Sequence, residues 1–112
     1  MRSYKLYLKD ILIAIKKINE YTRGLTFERL KRDNLVIDAI VRNLEIIGEA
    51  SKNIPGRIRE KYPDIEWKKV CGLRDILIHE YFGIDLPILW DIIKNKLPDL
   101  KRKITHVLKS VQ

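Results

Sequence analysis

Residues 34–53 read N-L-V-I-D-A-I-V-R-N-L-E-I-I-G-E-A-S-K-N, and their spacing decides the fold class. Ile37, Ile40, Leu44 and Ile47 recur at intervals of three and four, and Ile54 continues the row. That is the period of one buried helix face. Asp38, Arg42, Glu45, Glu49 and Lys52 fall opposite, within ~80° of one another at ~100° per residue. Beside the apolar stripe runs a second row, Ala39, Asn43, Ile46 and Ala50, whose small members permit close helix approach. Two readings fit this row: a face for a partner subunit, or a helix flanked on both sides within one bundle.

The same period extends outward in both directions. Upstream, Ser3 can cap a helix that runs to about Tyr21, with Tyr4, Leu8, Ile11, Ile15 and Ile18 as its stripe. The T-R-G-L-T run at 22–26 breaks that pattern at Gly24, and Thr26 can cap a short turn through 27–31. Downstream, Pro55 and Gly56 stop the 34–53 helix, and G-R-I-R-E-K-Y at 56–62 reads as a short basic helix. Residues 67–81 are expected to form one helix with a core face of Val70, Leu73, Ile76 and Leu77, ended by Gly83. Asp85 can cap the last helix, with Pro87 in its first turn. Its stripe is Leu89, Ile93, Leu97, Leu100, Ile104, Val107 and Val111, with a kink expected at Pro98. No strand-like period is visible. The expectation is an all-α antiparallel bundle of about four main helices plus short ones, one domain spanning residues 1–112.

Composition narrows the function classes. The chain has 112 residues, 46% hydrophobic and 34% charged, the balance of a patterned globular protein rather than a disordered one. No apolar run approaches the ~20 residues of a membrane span, and the N-terminus lacks the apolar core of a signal peptide. A cytoplasmic location away from membranes is the expectation. The single cysteine, Cys71, excludes an internal disulfide and argues against a cysteine zinc site. His79 and His106 are the only histidines, and neither has a metal-ligand spacing, so no metal and no cofactor are expected. The formal net charge is +8 and the pI about 9.7. A phosphate polymer or an acidic protein fits that charge, and so does a solvated lysine-rich surface.

The chemistry concentrates in G-L-R-D-I-L-I-H-E-Y, residues 72–81. On a continuous helix Tyr81 lies along the axis from Arg74, whereas His79 sits ~140° round from Arg74, on the side of Asp75 and Lys68. Either the helix ends or distorts near His79, or a second surface completes the site. Histidine suits proton transfer near neutral pH, and arginine stabilises charge that builds on phosphate oxygens. An RNA 2′-hydroxyl supplies an internal nucleophile, so this pair fits RNA cleavage to a 2′,3′-cyclic phosphate and a 5′-hydroxyl. That route needs an acid and a base, and a symmetric dimer would supply two copies of His79 and of Arg74. Cys71, on the flank of the core face, reads as a buried thiol. The plain alternative is that Arg74 and Asp75 are surface charges and His79 a cation favoured by a helix C-terminus.

The stretch R-D-I-L-I-H-E-Y at 74–81 matches the R-x-x-x-x-H-x-Y signature of HEPN-domain ribonucleases. D-I-L-I-A-I at 10–15, Y-T-R-G-L-T-F at 21–27, R-N-L-E-I-I-G-E-A at 42–50, K-Y-P-D-I-E-W at 61–67 and H-E-Y-F-G-I-D at 79–85 stand in matching order. Along nearly its whole length the chain resembles the HepT-like toxins of that group. The resemblance implies a HEPN-type all-α subunit that forms a homodimer and cleaves RNA without metal. It maps the catalytic pair onto Arg74 and His79, a supporting polar residue onto Asp75, and the motif tyrosine onto Tyr81. It also implies a toxin of a type II or type VII-like toxin–antitoxin system, neutralised by an MNT-type nucleotidyltransferase antitoxin. Neutralisation would proceed by nucleotidylation of Tyr81 or by a stable complex, which extends to a higher hetero-oligomer. Arg42 and Glu49, within a matching block, and Lys68 are candidates to line the cleft. A different class of function also fits: a non-catalytic subunit of a nucleotidyltransferase complex that holds nucleotide or partner.

Overall fold

The computed structural model describes residues 3–79 and 83–111, the side chains of 76–79 excepted. Its elements run α1 (Tyr4–Thr22), α2 (Phe27–Leu30), α3 (Asn34–Lys52), α4 (Gly56–Lys61), α5 (Trp67–Cys71), α6 (Leu73–Leu77), β1 (Ile78–His79), β2 (Gly83–Ile84), α7 (Leu86–Asp91), a π-helical turn (Ile92–Lys96) and α8 (Leu97–Ser110). This is the all-α bundle expected, with a single two-residue antiparallel ladder, His79 opposite Gly83, added to it. The sequence showed no strand period because two residues are too few to show one.

Side-chain caps fix the helix starts. Ser3 Oγ accepts from the Lys5 N–H at 3.3 Å, Thr26 Oγ1 from Arg29 at 3.2 Å, and Asp33 Oδ1 from Val36 at 3.1 Å. Asp85 Oδ1 accepts from Ile88 at 3.0 Å. Each satisfies an orphan donor of a first turn and is worth ~1 kcal/mol. The long helices then bury their stripes together. Leu8, Ile11, Ile15 and Ile18 of α1 meet Ile40, Leu44 and Ile47 of α3, and Leu97, Ile104 and Val107 of α8 close the same core. Each fully buried side chain of this size contributes ~1.5–3 kcal/mol. Trp67 belongs to this core as well, its Nε1 donating to the Tyr62 carbonyl at 3.0 Å. Among the described residues no helix is long and apolar enough to cross a membrane.

Two segments depart from the expected helices. The single helix over 67–81 is instead α5 and α6, separated at Gly72, whose N–H turns back to the carbonyls of Lys68 and Lys69. α6 stops at Leu77, so Gly83 ends no helix; it stands in β2 with φ +79°, a left-handed conformation open to glycine. The core positions expected at Ile76 and Leu77 lie outside the described side chains. At Pro98, where a kink is expected, the helix carries a wide turn just before the proline, with the Leu97 N–H bonded to the Ile92 carbonyl. Proline crowds the carbonyl of the preceding turn, and the extra residue per turn relieves that crowding.

A close helix approach stands at Gly48 of α3, a position beside the row Ala39, Asn43, Ile46 and Ala50. A Cβ on Gly48 would stand 2.9 Å from the Cys71 carbonyl oxygen. Because the neighbour is backbone, it cannot swing aside. Gly48→Val therefore destabilises the fold by about 3 kcal/mol. Gly56→Ala, whose Cβ meets nothing within 4 Å, is neutral or stabilising by up to ~1 kcal/mol. Chemical denaturation of the two variants measures the difference.

Candidate active site

The site is built on the polar face of α3. Glu45, Arg42 and Glu49 stand on that face, with α6 on one flank and α1 on the other. The Gly48–Cys71 approach sets the register, since α3 and the α5–α6 segment run antiparallel. Three residues back along α3 is Glu45, and three residues on from Cys71 is Arg74. Arg74 Nε lies 2.9 Å from Glu45 Oε1 in an ion pair, and Arg42 Nη1 lies 3.9 Å from Glu45 Oε2. One carboxylate thus holds two guanidinium groups. The Arg74 side chain stays 56% exposed and Arg42 72% exposed, so both keep donors free to meet an anion from solvent.

Arg42, Glu45 and Glu49 share a groove of about 310 Å³ with Tyr7 and Asp10 of α1 and with Ile46, Ala50 and Asn53 of α3. Ile46 and Ala50, two members of the small-residue row, therefore meet α1 inside the bundle. Glu49 also pairs with Lys52 at 3.2 Å. Arg42 turns to Glu45 and Lys52 to Glu49, both at the (i, i+3) spacing that places side chains side by side.

Of the residues singled out by sequence, Arg74, Arg42 and Glu49 are brought to one region. Asp75 is exposed on α6 beside Arg74, and Lys68 is exposed on α5, outside the groove that holds Arg42 and Glu49. His79 places its backbone in β1, two residues beyond the end of α6, while its side chain lies outside the described residues. Tyr81 lies outside them too, and the helical alignment that set it along the axis from Arg74 ends at Leu77. Glu45 is the ion-pair partner of Arg74 that periodicity missed; it was visible only as one of several charges on an outward face. Burial pushes the Cys71 thiol above its ordinary pKa, against smaller opposing effects of Arg59 and Lys52, which disfavours the thiolate. Among the described residues no group of His, Cys, Asp and Glu is arranged to hold a metal ion.

Comparison with known proteins places these residues in context. The chain matches the family described as Ribonuclease HepT-like over residues 11–107. It is 46% identical over 108 residues to the "Probable ribonuclease HepT" of Thermococcus cleftensis, covering 96% of this chain and 98% of that one. It is 41% identical over 108 residues, 96% of each chain, to a protein of Caldanaerobacter subterraneus provisionally named an RNase. A longer protein of Methanocaldococcus jannaschii, named for gamma-glutamylcyclotransferase and provisionally for RNase, is 42% identical over 110 residues; the match spans 98% of this chain and 50% of that one. No solved structure matches.

The Arg74–Glu45 pair is solvent-exposed on one side, so it contributes only ~0–1 kcal/mol to stability. Arg74→Ala is expected to lower the melting temperature by no more than about 4 °C, as read by thermal unfolding in circular dichroism. A larger loss would make Arg74 a structural residue.

Proposed function

The chain belongs to the HepT-like ribonuclease family, and on that premise we propose that it is a metal-independent endoribonuclease acting as the toxin of a toxin–antitoxin pair. The observation that carries the reading is the placement of a half-exposed Arg74 on the polar face of α3, followed at once by the end of α6. The ~140° that separates Arg74 from His79 on a helix applies only while the helix continues. With α6 closed at Leu77, that geometry no longer keeps the two residues on different faces.

In the proposed reaction the RNA 2′-oxygen attacks the adjacent phosphorus and gives its proton to a neutral His79. The P–O5′ bond breaks, and the leaving 5′-oxygen takes a proton from a second, protonated histidine. Arg74 stabilises the charge on the non-bridging oxygens as the transition state forms. The products are a 2′,3′-cyclic phosphate and a 5′-hydroxyl, with no water or metal-bound hydroxide consumed. Each chain offers one histidine to this motif, so the working unit is a homodimer that places two His79 and two Arg74 in one cleft.

Glu45 has a stated part in this scheme. By pairing with Arg74 on its Nε side it leaves the two terminal nitrogens of the guanidinium to face phosphate, and it limits the orientations of the fork. Asp75 supports the motif from the neighbouring position. The partner is a nucleotidyltransferase antitoxin of the MNT type, which silences the site either by transferring a nucleotide from a nucleoside triphosphate to the Tyr81 hydroxyl, releasing pyrophosphate, or by forming a stable complex.

Purified protein incubated with end-labelled RNA in excess EDTA tests the reading. Wild type is expected to yield cyclic-phosphate ends, and His79→Ala to be slower by ~10²–10⁴-fold with an unchanged circular dichroism spectrum. Equal cleavage by both, or cleavage that EDTA removes, would overturn it. An inert wild type with unmodified Tyr81 that binds the nucleotidyltransferase tightly would establish the non-catalytic subunit instead.

A further inference from the structure

The chain's positive charge is concentrated at its C-terminal end. Residues 92–111 carry Lys94, Lys96, Lys101, Arg102, Lys103 and Lys109 against one carboxylate, Asp99, which is a net +5 of the chain's formal +8. On α8 the charge is further sorted by face. The core stripe Leu97, Leu100, Ile104 and Val107 is buried, and Lys101, Arg102, Thr105, His106 and Lys109 occupy an arc of ~140° centred ~150° round from it. With Pro98 they line an open groove of about 520 Å³.

That groove differs in kind from two other grooves of the molecule. Asp10, Glu45 and Glu49 line the groove at the candidate active site. Glu66, Asp91 and Asp99 line a cleft of about 210 Å³ between α5 and α8. No carboxylate lines the α8 groove. Arg102 reaches outside it to Asp99, whereas Lys101 and Lys109 have no carboxylate within 4.0 Å among the described residues. An aromatic pair borders it. The Tyr62 ring stands edge-on to His106 at 6.3 Å and an interplanar angle of 84°, with Lys61 Nζ 5.9 Å from the Tyr62 ring centre.

Like charges held together on one helix face repel one another, and a polyanion relieves that repulsion while releasing its counterions. A protein partner would need an apolar, desolvated centre, and this groove offers no apolar side chain besides Pro98. Single-stranded RNA needs none: its phosphates follow the cations, and its bases stack on exposed ring faces. We infer that the outer face of α8, with Tyr62 and His106 at its edge, is a second RNA-contacting surface that tracks the backbone of the substrate outside the active-site groove. The inference rests on the proposed ribonuclease reading for the identity of the polyanion. It also adds cationic surface to that reading, since the active-site groove sets Asp10, Glu45 and Glu49 beside one lining cation, Arg42.

The test separates binding from cleavage. In a His79→Ala background, the variant Lys101→Gln/Arg102→Gln/Lys109→Gln is compared with its parent for binding of a fluorescent single-stranded RNA, between about 50 and 200 mM salt. Three lost phosphate contacts should lower the slope of log affinity against log salt by ~2 and weaken binding about tenfold or more. The Lys101→Arg/Lys109→Arg variant should keep both values. With His79 intact, the glutamine variant should cleave a dinucleotide at the parent rate and long RNA more slowly. Equal affinity and slope in the glutamine variant and its parent would overturn the inference, including a result in which the face captures an acidic protein instead. RNA bound through this face without cleavage by the wild type would sustain the inference while removing the ribonuclease reading.

Discussion

The contact between Gly48 and the Cys71 carbonyl governs the geometry of everything downstream. It brings α3 and α5 so close that no side chain fits between them. Once that spacing is set, the antiparallel run of the two segments determines which residues face each other. Arg74 arrives opposite Glu45 because both stand three residues from the contact. Gly72 then allows the chain to close one short helix and begin another within a single residue. A tight backbone approach in the core therefore decides the position of an exposed side chain. That is how a packed interior, which resists small displacements, sets the accuracy of a site on its surface.

Energetics separate the roles of the residues concerned. The bundle is held by apolar burial along α1, α3 and α8, where each large side chain contributes several times what an exposed ion pair does. Glu45 and Arg74 add little to that total. Their value is geometric, in limiting the orientations of a guanidinium that would otherwise sample many. The charges of the surface are divided in the same way. In the groove of α1 and α3 the Glu45 carboxylate stands against Arg42 and Arg74, and on α8 Lys101 and Lys109 have no carboxylate within 4.0 Å among the described residues.

Much of this was legible in the sequence, for local reasons. Ser3, Thr26 and Asp85 announce helix starts through the hydroxyl or carboxylate that a first turn requires, and the apolar stripes of α1, α3 and α8 repeat long enough to fix their buried faces. Reading failed where local signals were ambiguous. The run Ile76–Leu77–Ile78 suits a helix or a strand equally, so the end of α6 could not be placed by pattern. Pro98 signals disturbance but not its form, which is a wide turn at 92–96. The candidate site was legible only in its members. Arg74 and the polar face of α3 could each be named, whereas their meeting through Glu45 depends on the Gly48 approach, a tertiary contact with no periodic trace. The family resemblance was readable because several blocks stand in order, and residues 11–107 match the HepT-like model.

A double-mutant cycle on Glu45 and Arg74, read in the rate of RNA cleavage, tests the central claim most directly. Glu45→Gln, Arg74→Ala and the double variant would be compared with wild type under one set of conditions. If Glu45 acts by orienting Arg74, the double variant is no slower than Arg74→Ala alone, and the coupling amounts to about 1–3 kcal/mol. Additive losses, or a Glu45→Gln variant that cleaves at the full rate, would contradict the account.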